Sequence, residues 1–255
     1  MRDRERRKKI ISLLEDVPFL SNTQLIEALN VSEATIRRDL AKLAKEGVIH
    51  RVRGGAEAIS DHSRTNPAWK PFDSEQIAHI ELKRRIAQKA AELCVSGESI
   101  IIDGGTTTNL MVEFLCGREL QILTNALHTA IDLIKNTDNN VILPGGEIFR
   151  QQKVIVSPFE NDGIQQYSAS KLFMGIRGIA KVGLTQWDPL LIRAQEKLMN
   201  RAEKIIVMAD HTKFQNRDSY ILCPLNRVDC VITDDKVDDA SVNMLENEGV
   251  ELIIV

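Results

Sequence analysis

Asp103 stands directly before Gly104-Gly105-Thr106-Thr107-Thr108 at the end of the apolar run Ile100-Ile101-Ile102. Glycines let a backbone approach a ligand closely, and threonine hydroxyls add donors. A turn from strand into helix also points N–H groups and a positive helix end outward, so this segment can hold an anion, a phosphate above all. A second constellation lies near the amino terminus. There Thr35, Arg37, Arg38 and Lys42 present a hydroxyl, two guanidiniums and an ammonium within eight positions. Arginine reads guanine edges bidentately or grips phosphates, so the chemistry is that of a DNA reader.

Other chemistries find no matching pattern. There is no G-x-x-x-x-G-K-[ST] loop and no G-x-G-x-x-G after a strand. His50, His62, His79, His128 and His211 are scattered without metal-ligand spacing, and each is expected to be structural or solvated. Cys94, Cys116, Cys223 and Cys230 form no C-x-x-C pair, so buried reduced thiols are expected. No catalytic residue, metal or cofactor is assigned.

The elements that must position these groups are legible in part. Ser32 can cap a helix on which Ile36, Leu40 and Leu43 form one apolar stripe, leaving Thr35, Arg37, Arg38 and Lys42 off it. Ser21 and Gln24 form an S-x-x-Q capping box ahead of Leu25, Ile26 and Leu29, and Asn30 stands at a helix end. A first helix from about Arg4 to Leu14 turns Ile10, Ile11, Leu13 and Leu14 inward, completing a three-helix core. Gly47 ends the reader helix, Val48 to Val52 alternates as a strand, and Gly54-Gly55 supplies a turn. This predicts a winged helix-turn-helix. Its candidate DNA contacts are Ser32, Ala34, Thr35, Arg37, Arg38 and Lys42, with Arg51 and Arg53 in the wing. Residues 1–55 carry 12 Lys and Arg against 8 Asp and Glu, net +4, in a chain of net −3; the remainder is therefore −7 and the basic charge sits where DNA would. The run Arg2, Arg4, Arg6, Arg7, Lys8, Lys9 either contacts phosphate or keeps a helix face hydrated.

Between Ser60 and Asp73 two prolines and few aliphatic residues mark a linker. The expected division is 1–59 for DNA binding, 60–74 as linker and 75–255 as a second domain. After a helix from Glu75 to Leu93, apolar runs recur at Ser99–Asp103, Leu120–Thr124, Val141–Leu143, Leu172–Met174, Lys204–Met208, Val228–Thr233 and Glu251–Val255. Their alternation with helices predicts an α/β domain with a largely parallel sheet, whose ligands bind beyond the strands' carboxyl ends. Asn125, Gly145-Gly146-Glu147 and Lys213 fall on that rim. With 43% hydrophobic residues each domain can bury a core, and no apolar run reaches the roughly 20 residues that span a bilayer. The expectation is a soluble, cytoplasmic protein without membrane contact.

ATIRRDLAKLAKEGVIHRVRGGA resembles the DNA-binding helix and wing of DeoR-type bacterial transcriptional regulators. ELKRRIAQKAAELCVSGESIIIDGGTTT, ILTN, ILPGGEI, KLFMGIRGI, VMADHTKF and VITDD resemble that family's sensor domain in the same order. VRGGAEAI, CGRELQILTN, IVSPFEND and AQEKLMNRAEKIIV are most similar to the branch that represses L-ascorbate utilisation. The resemblance implies a sensor fold related to sugar-phosphate isomerases and CoA transferases, a phosphorylated sugar as effector, double-stranded operator DNA as partner, and a homodimer or homotetramer. By motif, Asp103, Gly104, Gly105, Thr106, Thr107 and Thr108 form the phosphate-side loop. Asn125, Gly145, Gly146, Glu147 and Lys213 close the rim, and Lys171 and Gly175 lie on a strand beside the pocket. Ser170 stands where the family often has an aspartate. The implied function is repression of a carbohydrate-utilisation operon. The competing class is a sugar-phosphate isomerase fused to a DNA-binding unit, using Asp103, Glu147 and Lys213; the isomerase-type D-G-A-D loop is absent.

Overall fold

The computed structural model describes residues 3–16, 19–45, 49–52, 55–58, 79–157, 159, 162–216 and 218–255. The chain separates into two compact units, residues 1–70 and 71–255. The segment 60–74, with Trp69 and Phe72, lies outside the described residues, as do Gly47, Arg53 and Gly54.

In the smaller unit, α1 (Asp3–Asp16), α2 (Asn22–Leu29) and α3 (Glu33–Lys45) surround one core. Ile10, Leu14, Leu25, Ile36, Leu40 and Leu43 are buried, while Ile11 and Leu13 pack at its margin. The capping box is complete: Gln24 N donates to Ser21 Oγ at 3.2 Å, and Ser21 N donates to Gln24 Oε1 at 2.9 Å. Asn30 ends α2 in the left-handed conformation, φ 50°. Three short strands, β1 (Phe19–Ser21), β2 (Ile49–Val52) and β3 (Gly55–Ala58), form an antiparallel sheet in the order β1-β3-β2. Gly55, expected in the turn, is instead the first residue of β3, opposite Val52 and Ser21. The strand β1 escaped the sequence reading because three residues carry too little periodicity to distinguish.

The basic run on α1 divides. Arg6 is buried with its Nε 2.6 Å from Asp39 Oδ2 on α3, and Arg7 Nε lies 3.9 Å from Asp39 Oδ1. These guanidiniums tie α1 to α3, whereas Lys9 is exposed.

The larger unit is built on seven parallel strands in the order β15-β14-β12-β9-β4-β5-β6. They are β4 (Ser99–Ile102), β5 (Gln121–Thr124), β6 (Asn140–Ile142), β9 (Ala169–Met174), β12 (Ala202–Met208), β14 (Cys230–Thr233) and β15 (Glu251–Ile254). Each matches one of the apolar runs. Side chains alternate between two cores, Ile100 and Ile102 on one face and Ile101 on the other. The first face is covered by α4 (Ile80–Glu92), α5 (Thr106–Asn109) with its 3-10 continuation Leu110–Phe114, and α6 (Leu127–Asn136). The second is covered by α7 (Pro189–Met199) and α8 (Asp239–Asn247). Burial on both faces is why the inner strands read as continuous apolar runs.

Smaller antiparallel pieces lie beside the main sheet. β7 (Glu147–Phe149) pairs with β8 (Val154–Val156), and β10 (Gly178–Ala180), β11 (Gly183–Gln186) and β13 (Tyr220–Cys223) form a three-stranded sheet. From β4 the chain proceeds outward through β5 and β6; from β9 it proceeds the other way through β12, β14 and β15. β4 and β9 are therefore adjacent strands whose following connections diverge, which opens a crevice at their carboxyl ends.

Candidate functional site

That crevice is occupied by an open pocket of about 760 Å3, counting the solvent space at its mouth. Four neighbouring strands deliver residues to it at their carboxyl ends: Asp103 to Thr107 after β4, Asn125 after β5, Gly175 to Arg177 after β9, and Met208 and Lys213 from β12 and the turn beyond. Gln186 and Trp187, Gln152 and Val154, and Leu191, Ala194 and Gln195 of α7 complete its lining.

The floor is a polar chain with one sense. Trp187 N donates to Gln186 Oε1 at 3.1 Å, and Gln186 Nε2 donates to Gln195 Oε1 at 3.1 Å. Gln195 Nε2 then donates to Asp103 Oδ2 at 2.7 Å and to the Gly175 carbonyl at 3.2 Å. Asp103 is 2% exposed. Burial pushes its carboxyl up to about 6, against the bonds from Gln195, the Gly104 amide and Asn125 that favour the charged form. The loop is held from the neighbouring strand, since Gly104 N donates to Asn125 Oδ1 at 3.1 Å. Ile155 N donates to the Asn125 carbonyl at 2.7 Å, which lays β8 over the loop. A Cβ on Gly104 would stand 2.2 Å from Val154 Cγ1, so any side chain here forces Val154 to move.

The threonines differ in their duties. Thr106 and Thr107 line the pocket. Thr108 is fully buried, its hydroxyl donating to the carbonyls of Asp103 at 2.8 Å and Gly105 at 3.0 Å, so it shapes the loop from within. Around Lys213, Asp210 accepts from the Thr212 amide at 3.0 Å and from its hydroxyl, and Asp234 holds His211 through Nδ1 at 2.8 Å.

Of the rim residues named by motif, Asp103, Gly104, Gly105, Thr106, Thr107, Asn125 and Lys213 converge on the pocket. Gly145, Gly146 and Glu147 do not line it. Gly146 has φ 156°, and a Cβ there would meet the Val156 carbonyl oxygen at 2.5 Å, so this glycine permits the β7–β8 hairpin that carries Gln152 and Val154 inward. Lys171 is a correction of place: its Nζ lies 2.6 Å from Glu98 Oε2, and Glu98 immediately precedes β4, so the pair sits at the amino end of the sheet, opposite the pocket. Ser170 joins it, donating to the same oxygen at 2.7 Å. Gln195, Gln186, Trp187, Arg177 and Gln152 were missed. One signal was present: Gln195 is a polar residue on the apolar stripe Leu191, Ala194, Leu198 of α7.

In the smaller unit Ser32, just before α3, and Ala34, Arg37, Arg38 and Lys42 on it are exposed, and Thr35 is half-buried. Thr35 N donates to Ser32 Oγ at 3.4 Å, and the two hydroxyls are 2.9 Å apart. Arg37 NH2 meets Glu33 Oε1 at 2.7 Å one turn back, both largely exposed. Arg51 lies in β2 opposite Ala56, and Arg53 falls outside the described residues.

Among the described residues no group of three or more His, Cys, Asp or Glu could hold a metal ion, and no helix is long and apolar enough to cross a membrane. Cys94, Cys223 and Cys230 are buried free thiols, pushed up by burial to about 12, 11 and 12; Cys116 departs from expectation in being exposed.

The model of the DeoR-like helix-turn-helix domain matches residues 6–62, and that of the DeoR C terminal sensor domain matches residues 78–235. The HTH-type transcriptional regulators UlaR of Shigella dysenteriae serotype 1 (strain Sd197) and of Escherichia coli (strain SMS-3-5 / SECEC) are each 31% identical over 255 residues, all of both chains. Among solved structures, ribose 5 phosphate isomerase A from Neisseria gonorrhoeae aligns at 20% identity and TM-score 0.40, over 54% of this chain and 54% of its own.

Proposed function

Since the chain belongs to the DeoR family of DNA-binding transcriptional regulators, we propose that it represses a carbohydrate-utilisation operon and releases or tightens its operator when a phosphorylated sugar enters the pocket beyond β4 and β9. The observation that carries this reading is the convergence on one pocket of the Gly104 to Thr107 loop, Lys213 and Arg177 with the hydrogen-bonded Asp103, Gln195 and Gln186. Backbone amides, hydroxyls and cations suit a phosphate; a carboxylate and carboxamides suit sugar hydroxyls; Trp187 supplies an apolar face for the ring.

The α3 face bearing Ser32, Ala34, Thr35, Arg37, Arg38 and Lys42 enters the major groove, with Arg51 and Arg53 toward the backbone. A homodimer or homotetramer would place two such helices on half-sites about 34 Å apart or a multiple of it. Coupling is reciprocal, so operator and effector change each other's affinity by the same factor. The pocket then serves as a sensor in a cytoplasmic regulator rather than as an isomerase centre.

The test is fluorescence anisotropy of the purified protein on promoter DNA beside its own gene, with a panel of sugar phosphates that includes L-ascorbate 6-phosphate. One phosphosugar shifting specific binding establishes the reading and names the effector. Binding indifferent to all of them removes the sensor role, and turnover of any pentose or hexose phosphate would restore the enzyme class.

A further inference from the structure

Gln186 and Gln195 are 5% and 6% exposed, and each buries an amide whose two ends have opposite chemistry. Backbone groups settle which way both face. The Trp187 N–H can only donate, so the Gln186 side chain meets it with Oε1 and turns Nε2 toward Gln195. Gln195 receives that N–H on its own Oε1 and turns Nε2 toward Asp103 and toward the Gly175 carbonyl, which can only accept. Flipping either amide would set donor against donor, and both protons of Gln195 Nε2 are spent.

Asp103, at the end of this relay, is held as an acceptor. Donors from Gln195, the Gly104 amide and Asn125 surround it, and a carboxylate has roughly four acceptor positions, so one stays open on a residue that lines the pocket. Among the described residues Asp103 forms no ion pair. The cations of the pocket are placed otherwise. Arg177 Nε lies 3.6 Å from Asp218 Oδ2, and Lys213, after the Thr212 hydroxyl, offsets the burial that opposes the charge of Asp210. Each cation has a carboxylate of its own, while the charge of Asp103 is answered by neutral donors. A ligand hydroxyl can donate to it, whereas a ligand carboxylate meets like charge and brings no proton.

We propose that the Gln186–Gln195–Asp103 relay sets the choice of ligand at the pocket floor: it selects a free hydroxyl there and rejects a carboxylate, so that the effector is the phosphate of a neutral sugar or polyol and not of a sugar acid. Asp103 is the group that touches the ligand, and Gln195 is the residue that positions it. The proposal rests on the reading that the pocket takes a phosphorylated sugar.

The experiment measures Kd on the full chain, by titration calorimetry, for matched phosphates that differ only at the far end. The pairs are glycerol 3-phosphate with 3-phosphoglycerate, ribitol 5-phosphate with 5-phosphoribonate, and glucitol 6-phosphate with 6-phosphogluconate. Within a pair the phosphate contribution cancels. Losing a bond to a charged acceptor and facing a like charge should leave the acid about 10- to 100-fold weaker than its alcohol in the pair whose length reaches the floor. Asp103→Asn keeps the shape but turns an N–H toward the ligand, so the ratio should fall to parity or reverse. Gln195→Met frees the carboxylate to turn, and the ratio should fall there too. General damage to the pocket weakens both members of a pair and leaves their ratio alone, and thermal unfolding checks that each variant folds. A wild type that binds every acid as well as its alcohol, or variants that keep the wild-type ratio, overturn the proposal and leave the pocket reading standing. No binding of any of these phosphates overturns it too, and together with DNA binding that ignores every phosphosugar it overturns the pocket reading as well.

Discussion

Gln195 and Asp103 lie 92 positions apart and meet across the pocket floor, the amide Nε2 donating to the carboxylate Oδ2 at 2.7 Å. The bond joins α7 to the carboxyl end of β4. It also supports a charge that burial disfavours, because Gln195 is itself oriented by Gln186 and the Gly175 carbonyl.

The pH dependence follows from that carboxyl. Asp103 is pushed up to about 6 from an ordinary 3.8. Below about pH 4 folded and unfolded chains both hold its proton. Between there and about 6 only the folded chain keeps it, so stability falls as pH rises through this window and then levels off. At neutral pH the deficit is up to about 3 kcal/mol. Asp103→Asn should remove it: urea titrations at several pH values should show the difference, variant minus wild type, rising from about pH 4 to above 6. A flat difference would mean that Asp103 is not held near 6.

The Gly104 position makes a sharper test of packing. A methyl placed there collides with Val154 Cγ1 at 2.2 Å, while Ala126 Cβ at 3.5 Å is an ordinary contact. Gly104→Ala should cost about 1–3 kcal/mol. Val154→Ala clears the space, so Gly104→Ala should be much less harmful in that background than alone. Additive losses in denaturant melts would show that the loop is disturbed by something other than Val154.

Much of the frame was open to reading from residues alone, and the exceptions share a cause. The central strands of the large sheet are buried on both faces and therefore appear as apolar runs; Ile100-Ile101-Ile102 feeds two cores at once. β10, β11 and β13 are only three or four residues long, and their pairing is decided by what lies across from them, such as Leu184 against Cys223. In the pocket, the local run Asp103 to Thr107 was visible because adjacent positions do one job. Gln195, Arg177 and Gln152 arrive from separate elements with no shared spacing. Lys171 shows the reverse failure: β9 passes the pocket, but its fourth residue from the carboxyl end belongs to the other edge of the sheet, with Glu98.

Asp39 gives the clearest case of a signal that local spacing held without revealing its partner. It lies beside Leu40 on the buried side of α3, where an isolated carboxylate would be costly, and Arg6 answers it. Both side chains are less than 10% exposed. Arg6→Met or Asp39→Ala breaks this buried ion pair and should destabilise the smaller unit by up to about 3–5 kcal/mol. Exposed Lys9→Ala should change it by less than about 0.5 kcal/mol. Urea melts reporting on that unit check the contrast, and equal effects at Arg6 and Lys9 would deny the ion pair its structural role.

The last prediction concerns how α3 would address DNA. Arg37 is held by Glu33 one turn back at 2.7 Å, while Arg38 beside it is exposed and forms no ion pair among the described residues. If both face the groove, Arg38→Ala should weaken operator binding by about 1–3 kcal/mol where it reads a base edge. Where it grips phosphate instead, the loss should be uniform across sequences and the slope of affinity against salt should fall by about one charge. Glu33→Gln acts in the opposite direction: it frees Arg37 from an exposed pair worth about 0.2–1 kcal/mol and removes a negative charge from the reading face. Its expected effect is tighter operator binding, most visible at low salt. Anisotropy measured at several salt concentrations separates the cases. A Glu33→Gln protein that binds more weakly than the wild type would mean that the ion pair positions Arg37 for its contact rather than withholding it.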